Sequence, residues 1–212
     1  VDGEVRQNLK EIFNASKHAR DMVKQILAFS RQNKQERKPI QVAHIAKEAI
    51  KMLRASLTAT ISIQQHIEKN TGIIEADPTQ IHQVLMNLCT NAAHAINEKD
   101  GVLEIHLGNI DLDQKAAADI PGLKTGSYLK LSVSDSGEVI RPEARHMIFN
   151  PYFTTKEKGK GTGLGLAVVQ GIVKSNNGAV TVESEVGKGA AFHVYLPTIK
   201  RKLTADSEIS MP

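Results

Sequence analysis

Three stretches of this sequence carry residue types suited to handling phosphates and bases. In "DPTQIHQVLMNLCTNAAHAIN", residues 77–97, the polar residues Gln80, Gln83, Asn87, Asn91 and His94 form a stripe beside an apolar face of Ile81, Val84, Leu85, Leu88, Ala92, Ala95 and Ile96. Asn is a poor helix former, so two of them four apart inside a helical pattern need a reason. One reading is a solvated face. The other is a row of amides and an imidazole lining a cleft. Asn91, at the edge of the apolar face, could then ligate Mg²⁺ through a neutral oxygen, adding no charge to a phosphate chain that is already anionic.

In "YLKLSVSDSGEVI", 128–140, Asp135 continues the strand parity of Leu129, Leu131 and Val133. A carboxylate on an inward face must find a donor. It either closes an Asx-type turn over Ser136-Gly137 or accepts a hydrogen bond from an exocyclic amino group such as that of adenine. In "KGKGTGLGLAVVQGIVK", 158–174, glycines 159, 161, 163 and 165 permit close backbone approach, and an apolar helical run starts at Leu164. The amides at its start could face a phosphate, and Lys156, Lys158 and Lys160 add positive charge. The register is not that of a P-loop, and no buried strand precedes it as in a dinucleotide turn. A flexible Gly-rich surface loop is the alternative for this stretch alone. Further on, "GKGAAFHVYLP", 187–197, turns into a strand with Phe192, Val194 and Leu196 facing inward.

The elements that must position these residues can be read from periodicity. Helical patterns fall near 42–57, 78–98, 141–148 and 163–176. Strand patterns fall near 60–67, 72–76, 102–110, 128–135, 179–185 and 190–196, the last two forming a hairpin across "VGKGA". Successive strands without intervening helices favour an α+β two-layer sandwich: a mixed sheet with helices on one face. Residues 1–33 read as one long bundle-forming helix, with Val5, Leu9, Ile12, Val23 and Ile26 on its apolar stripe. Residues 34–39 read as a linker, 40–197 as the main domain, and 198–212 as a polar, disordered tail without periodicity.

With 212 residues, 41% of them hydrophobic, the chain can bury one good-sized core, which must be aliphatic because Trp is absent. The single cysteine, Cys89, excludes an internal disulfide and suits a reducing, cytoplasmic compartment. No apolar run is long enough for a membrane span, although a parent protein could be anchored elsewhere. The net charge of +4 is spread out and is not a nucleic-acid footprint.

Taken in order, these pieces resemble the ATP-binding domain of sensor histidine kinases, within the superfamily shared with gyrase, the ninety-kilodalton heat-shock chaperones and MutL. "NLCTNAAHA" looks like the N box, "DSG" the G1 box, "IFNPYFTTK" the F box, "GTGLGLAVV" the G2 box and "GKGAAF" the G3 turn. Residues 4–31 resemble the second helix of the dimerisation and phosphotransfer bundle. The resemblance implies ATP and Mg²⁺ as cofactors, with Asn91 on the metal and Asn87 and His94 near the phosphates. Asp135 would take the adenine amino group and Gly137 would lie against the base. Residues 151–163 would be the lid. Val139, Ile140, Lys156, Lys160, Gly161, Thr162, Gly163, Leu164, Gly165 and Phe192 would complete the ATP site.

The implied reaction is transfer of the ATP γ-phosphoryl group to a histidine of the first bundle helix. That helix is not in this sequence, and His18 is followed by Ala19 instead of an acidic residue. The implied partners are that histidine-containing helix, a downstream response-regulator receiver domain and a second copy meeting through residues 1–33. Two residues depart from the family pattern. Val139 stands where the G1 box has a second glycine, and Ala190 where the G3 turn has Thr. Val139 adds bulk and disfavours positive φ, and Ala190 lacks a hydroxyl that could support Asp135. A degenerate, weakly binding module and another ATPase of the superfamily are the competing readings.

Overall fold

The structure is a computed structural model and describes residues 36–97, 100–156, 161–185 and 187–199, with residues 3, 5–9, 12, 13 and 16 near the start. The described residues of that first stretch are helical. The expected full-length helix over 1–33, the lysines Lys158 and Lys160, and the tail beyond Ile199 lie outside the described residues.

Seven strands form one sheet: β1 (Lys38–Ile40), β2 (Ile61–Ile67), β3 (Ile73–Ala76), β4 (Gly101–Leu112), β5 (Gly126–Asp135), β6 (Ala179–Glu185) and β7 (Gly189–Ile199). Their order is β1-β3-β7-β5-β4-β2, with β6 also paired to β7. β2 and β4 run parallel and the other pairs antiparallel, so the sheet is mixed. β1 starts two residues inside the stretch expected to be linker, because Lys38–Ile40 pairs with the edge of β3. β7 runs past residue 197 for a similar reason, its last residues pairing with Ile73 and Ile74.

Among the described residues, three helices supply the second layer: α1 (Val42–Ser56), α2 (Pro78–Ile96) and α4 (Gly165–Ser175). Each lays one apolar stripe on the sheet: Val42, Ala46, Ala49, Ile50 and Leu53 from α1, and Val168, Val169, Ile172 and Val173 from α4. The facing strand residues have one parity, Leu103, Ile105 and Leu107 on β4, Leu129, Leu131 and Val133 on β5, and Phe192, Val194 and Leu196 on β7, all buried. A short helix, α3 (Gln114–Ala118), was not expected. Ala117 packs with Leu112, Tyr128 and Tyr195, residues of the opposite strand parity, so α3 covers part of the other sheet face. The helical pattern near 141–148 shortens to a 3₁₀ turn at Pro142–Ala144 followed by turns.

Candidate nucleotide site

α2 begins where Asp77 caps it, its carboxylate accepting from Thr79 N at 2.8 Å, with Pro78 in the first turn. It ends at Asn97, whose left-handed φ of 52° stops the helix. Its buried face contains Ile81, Val84, Leu85, Leu88, Cys89, Ala92, Ala93 and Ile96. Ala95, expected on that face, is half-buried, and Cys89 and Ala93 join it. Burial pushes the Cys89 thiol up to about 12, so it packs as an inert apolar group.

Of the polar stripe, Gln80, Gln83, Asn87 and Asn91 are half-buried, and only His94 is exposed. The start of α4 lies against Asn87 and Asn91. Asn87 Nδ2 donates to the Gly165 carbonyl at 3.2 Å, and a Cβ at Gly165 would lie 3.8 Å from both Asn87 Cγ and Asn91 Nδ2. No side chain caps α4, and its N-cap position is Leu164. The first-turn amides and the two asparagine amides therefore meet at one place, which is favourable for an anion.

The 151–156 segment also reaches α2. Lys156 Nζ lies 2.8 Å from His94 Nδ1, a geometry in which the ammonium donates to a neutral imidazole. Although His94 is exposed overall, partial desolvation of its ring, and then the Lys156 charge, hold it below the usual imidazole range, and burial also lowers Lys156. Gly161 lies against this arm: a Cβ there would be 3.0 Å from Lys156 Cδ and 3.2 Å from Thr154 Oγ1. Gly163 adopts φ +66°, and a Cβ there would sit 2.5 Å from the Tyr152 carbonyl carbon. Only glycine allows the two ends of the lid to cross so closely. Thr162 Oγ1 accepts from Leu164 N at 3.4 Å.

Asp135 ends β5 and is 5% exposed. Its carboxylate accepts from Gly137 N at 2.9 Å and from the Ala190 backbone. The Asx turn is thus present. Burial still pushes Asp135 up to about 6, against the effect of those two bonds. Gly137 was expected against a base. Its missing side chain is explained by α2: a Cβ there would overlap the Ala95 carbonyl carbon, and Glu138 N donates to Ala95 O at 3.0 Å.

The two departures from the family pattern look different in place. Val139 is half-buried but not among the described non-glycine residues with positive φ, which are Asn97, Tyr152 and Asn177. The backbone objection to it falls away and only its bulk remains. Ala190 pairs with Asp135 on one side and Ser184 on the other. Ser184 was missed: its hydroxyl accepts from Ile140 N and donates to Gly189 O, both at 2.9 Å. The signal was available, since Ser184 shares strand parity with Val180 and Val182. Phe192 is buried in the main core, paired with Val133 and Val182. Lys160 lies outside the described residues.

Mg²⁺ can be tested against these donors. Among the described residues, no group of three or more His, Cys, Asp or Glu side chains is placed to hold a metal ion. An ion here would rely on phosphate and water oxygens, with an amide from α2 as the protein's share. That fits Mg²⁺, which keeps most of its waters. Among the described residues no helix is long and apolar enough to cross a membrane.

Comparison with known proteins identifies the family and the fold. The chain is 34% identical over 199 residues to sensor kinase CckA of Brucella abortus, covering 94% of this chain and 21% of that protein. It is 43% identical over 129 residues to sensor histidine kinase ZraS of Salmonella typhimurium, covering 61% and 24%. The chain thus spans less than a quarter of these relatives. The catalytic domain of histidine kinase ThkA superposes with a TM-score of 0.62 at 27% identity, covering 77% of this chain and 96% of that one. Residues 76–200, from the end of β3 through β7, match the model of the "Histidine kinase-, DNA gyrase B-, and HSP90-like ATPase" family, and the chain belongs to that family.

Proposed function

We propose that this chain is the ATP-binding catalytic part of a sensor histidine kinase, passing the γ-phosphoryl group of ATP to a histidine on another helix. The observation that carries the proposal is the meeting of the Asn87 and Asn91 amides with the uncapped start of α4, beside the lid. In this reading Asp135 accepts the adenine amino group, with Val139 and Ile140 bordering the base, while Phe192, buried in the core, only holds its strand in place. Asn87, His94, Lys156, Lys160, Gly161, Thr162, Gly163, Leu164 and Gly165 surround the phosphates. Asn91 would hold Mg²⁺, which when bound neutralises phosphate charge. The bond from the γ-phosphorus to the β,γ-bridging oxygen breaks and one to an imidazole nitrogen forms. The protein contributes position and positive potential, and the lid excludes water.

The partners in this reading are a histidine-bearing bundle helix, a receiver domain and a second copy of the chain through residues 1–33. ThkA has been described in complex with response regulator protein TrrA. The reading also places this part of the parent protein in the cytoplasm. A second reading, a module that binds ATP weakly, is favoured by Val139 and Ala190. Titration calorimetry with Mg-ATP, followed by incubation with γ-labelled ATP and a separately purified bundle protein carrying the acceptor histidine, separates the two. Binding with label transfer supports the kinase, and binding without transfer supports the module. Absence of binding refutes both.

A further inference from the structure

Ser184 lies in none of the motifs that border the nucleotide site, yet it joins two of them. We propose that Ser184 is a positioning residue for base recognition, locking the 135–140 turn to the 187–190 hairpin and so holding Asp135 in place. The inference rests on the ATP reading of this site.

Ser184 is 7% exposed and sits on the core-facing parity of β6. Its hydroxyl has one proton to give, and that proton goes to Gly189 O. The same oxygen accepts from Ile140 N, and the Ser184 carbonyl accepts from the Arg145 guanidinium. One residue therefore ties the G1 turn, the following 3₁₀ segment and the G3 hairpin together. Ser184, Ala190 and Asp135 form one cross-strand row on β6, β7 and β5.

Asp135 sits between the two segments the serine joins. One of its donors, Gly137 N, belongs to the turn, and the other, the Ala190 backbone, belongs to the hairpin. Gly189, at φ +77°, lies so close that a Cβ would overlap the Asp135 carbonyl oxygen. Should the segments part, the carboxylate loses a donor and its aim. Ala190 carries no hydroxyl, and the hydroxyl in this row is that of Ser184 on the neighbouring strand.

The readout is base discrimination. A fixed carboxylate accepts from the amino group of adenine and repels the carbonyl oxygen that guanine presents in its place. The test is calorimetric titration of the whole chain with Mg-ATP and with Mg-GTP, for wild type, Ser184→Ala and Ser184→Thr. Ser184→Ala is expected to weaken ATP binding about tenfold and to narrow the ATP-over-GTP preference, while Ser184→Thr keeps both. A merely structural hydroxyl would lower the melting temperature and leave the preference unchanged, which overturns the proposal. Equal losses in folded Ala and Thr variants overturn it too. Should Ser184→Ala not fold, hydrogen exchange on the wild type decides. The Ile140 amide is expected to be as protected as those of β5, and exchange at open-loop rates refutes the lock. A wild type that binds neither nucleotide refutes the ATP reading, and the inference falls with it.

Discussion

Replacing Asp135 with Asn should stabilise the fold while removing nucleotide recognition. Burial moves Asp135 from the usual 3.8 to about 6. Each unit is about 1.4 kcal/mol, so the ionised carboxylate costs the folded state about 3 kcal/mol at neutral pH. The amide removes that cost but replaces one acceptor oxygen with an NH₂. One acceptor oxygen is then left for the Gly137 and Ala190 backbone donors, and the poorer geometry takes back about 1–2 kcal/mol. A net gain of about 1–2 kcal/mol corresponds to a melting point higher by about 2–8 °C in a domain of this size. The sign with pH follows from the raised value. The wild-type carboxyl contributes its stability when protonated, fully below 3.8, and loses it as pH rises through 6. The two proteins should therefore differ most at pH 7–8 and converge between pH 6 and 4. Urea unfolding followed by circular dichroism at pH 5, 6, 7 and 8, without nucleotide, measures the gap. An Asn variant less stable than wild type at pH 8, or a gap that does not narrow on acidification, refutes the reasoning. Mg-ATP binding should be lost in the same variant.

Val139→Gly should tighten Mg-ATP binding by up to about tenfold if the valine's bulk crowds the base, and unchanged calorimetry would remove position 139 from the pocket. Gly137→Ala should cost about 1–3 kcal/mol in urea unfolding, because its Cβ overlaps the Ala95 backbone and the G1 turn or α2 must move. Lys156→Met should raise the His94 titration point, followed by imidazole NMR. The recovery should be partial, because burial is the larger cause of the depression. No movement would mean that the Lys156–His94 contact does not form in solution.

Asp135 and the Asn87–Asn91 pair were legible because each breaks a local rule: a carboxylate on a core-facing strand parity, and two poor helix formers four apart in a helix. Ser184 breaks the same rule more quietly. A serine on an apolar parity is cheap to bury, so strand patterning did not single it out. β1 was hidden because its three residues follow a charged run and include a proline, which an edge strand tolerates. The short α3 was hidden because five residues give no period to read. The Lys156–His94 contact joins positions 62 residues apart, and no local pattern reports it.

The glycines that first marked the site turn out to answer to the protein itself. Gly137 makes room for the Ala95 backbone, Gly163 for the Tyr152 carbonyl and Gly189 for Asp135. Each would be required for the G1 turn, the lid crossing and the G3 hairpin to assemble with no nucleotide present. A chain can therefore keep all three and keep the fold while losing its chemistry. The residues not demanded by backbone packing are the ones the proposed activity would use. The Asn91 amide is open to a ligand, and Asp135 is kept ionisable at a cost in stability. A stability gain in Asp135→Asn would make that cost the stronger argument for function.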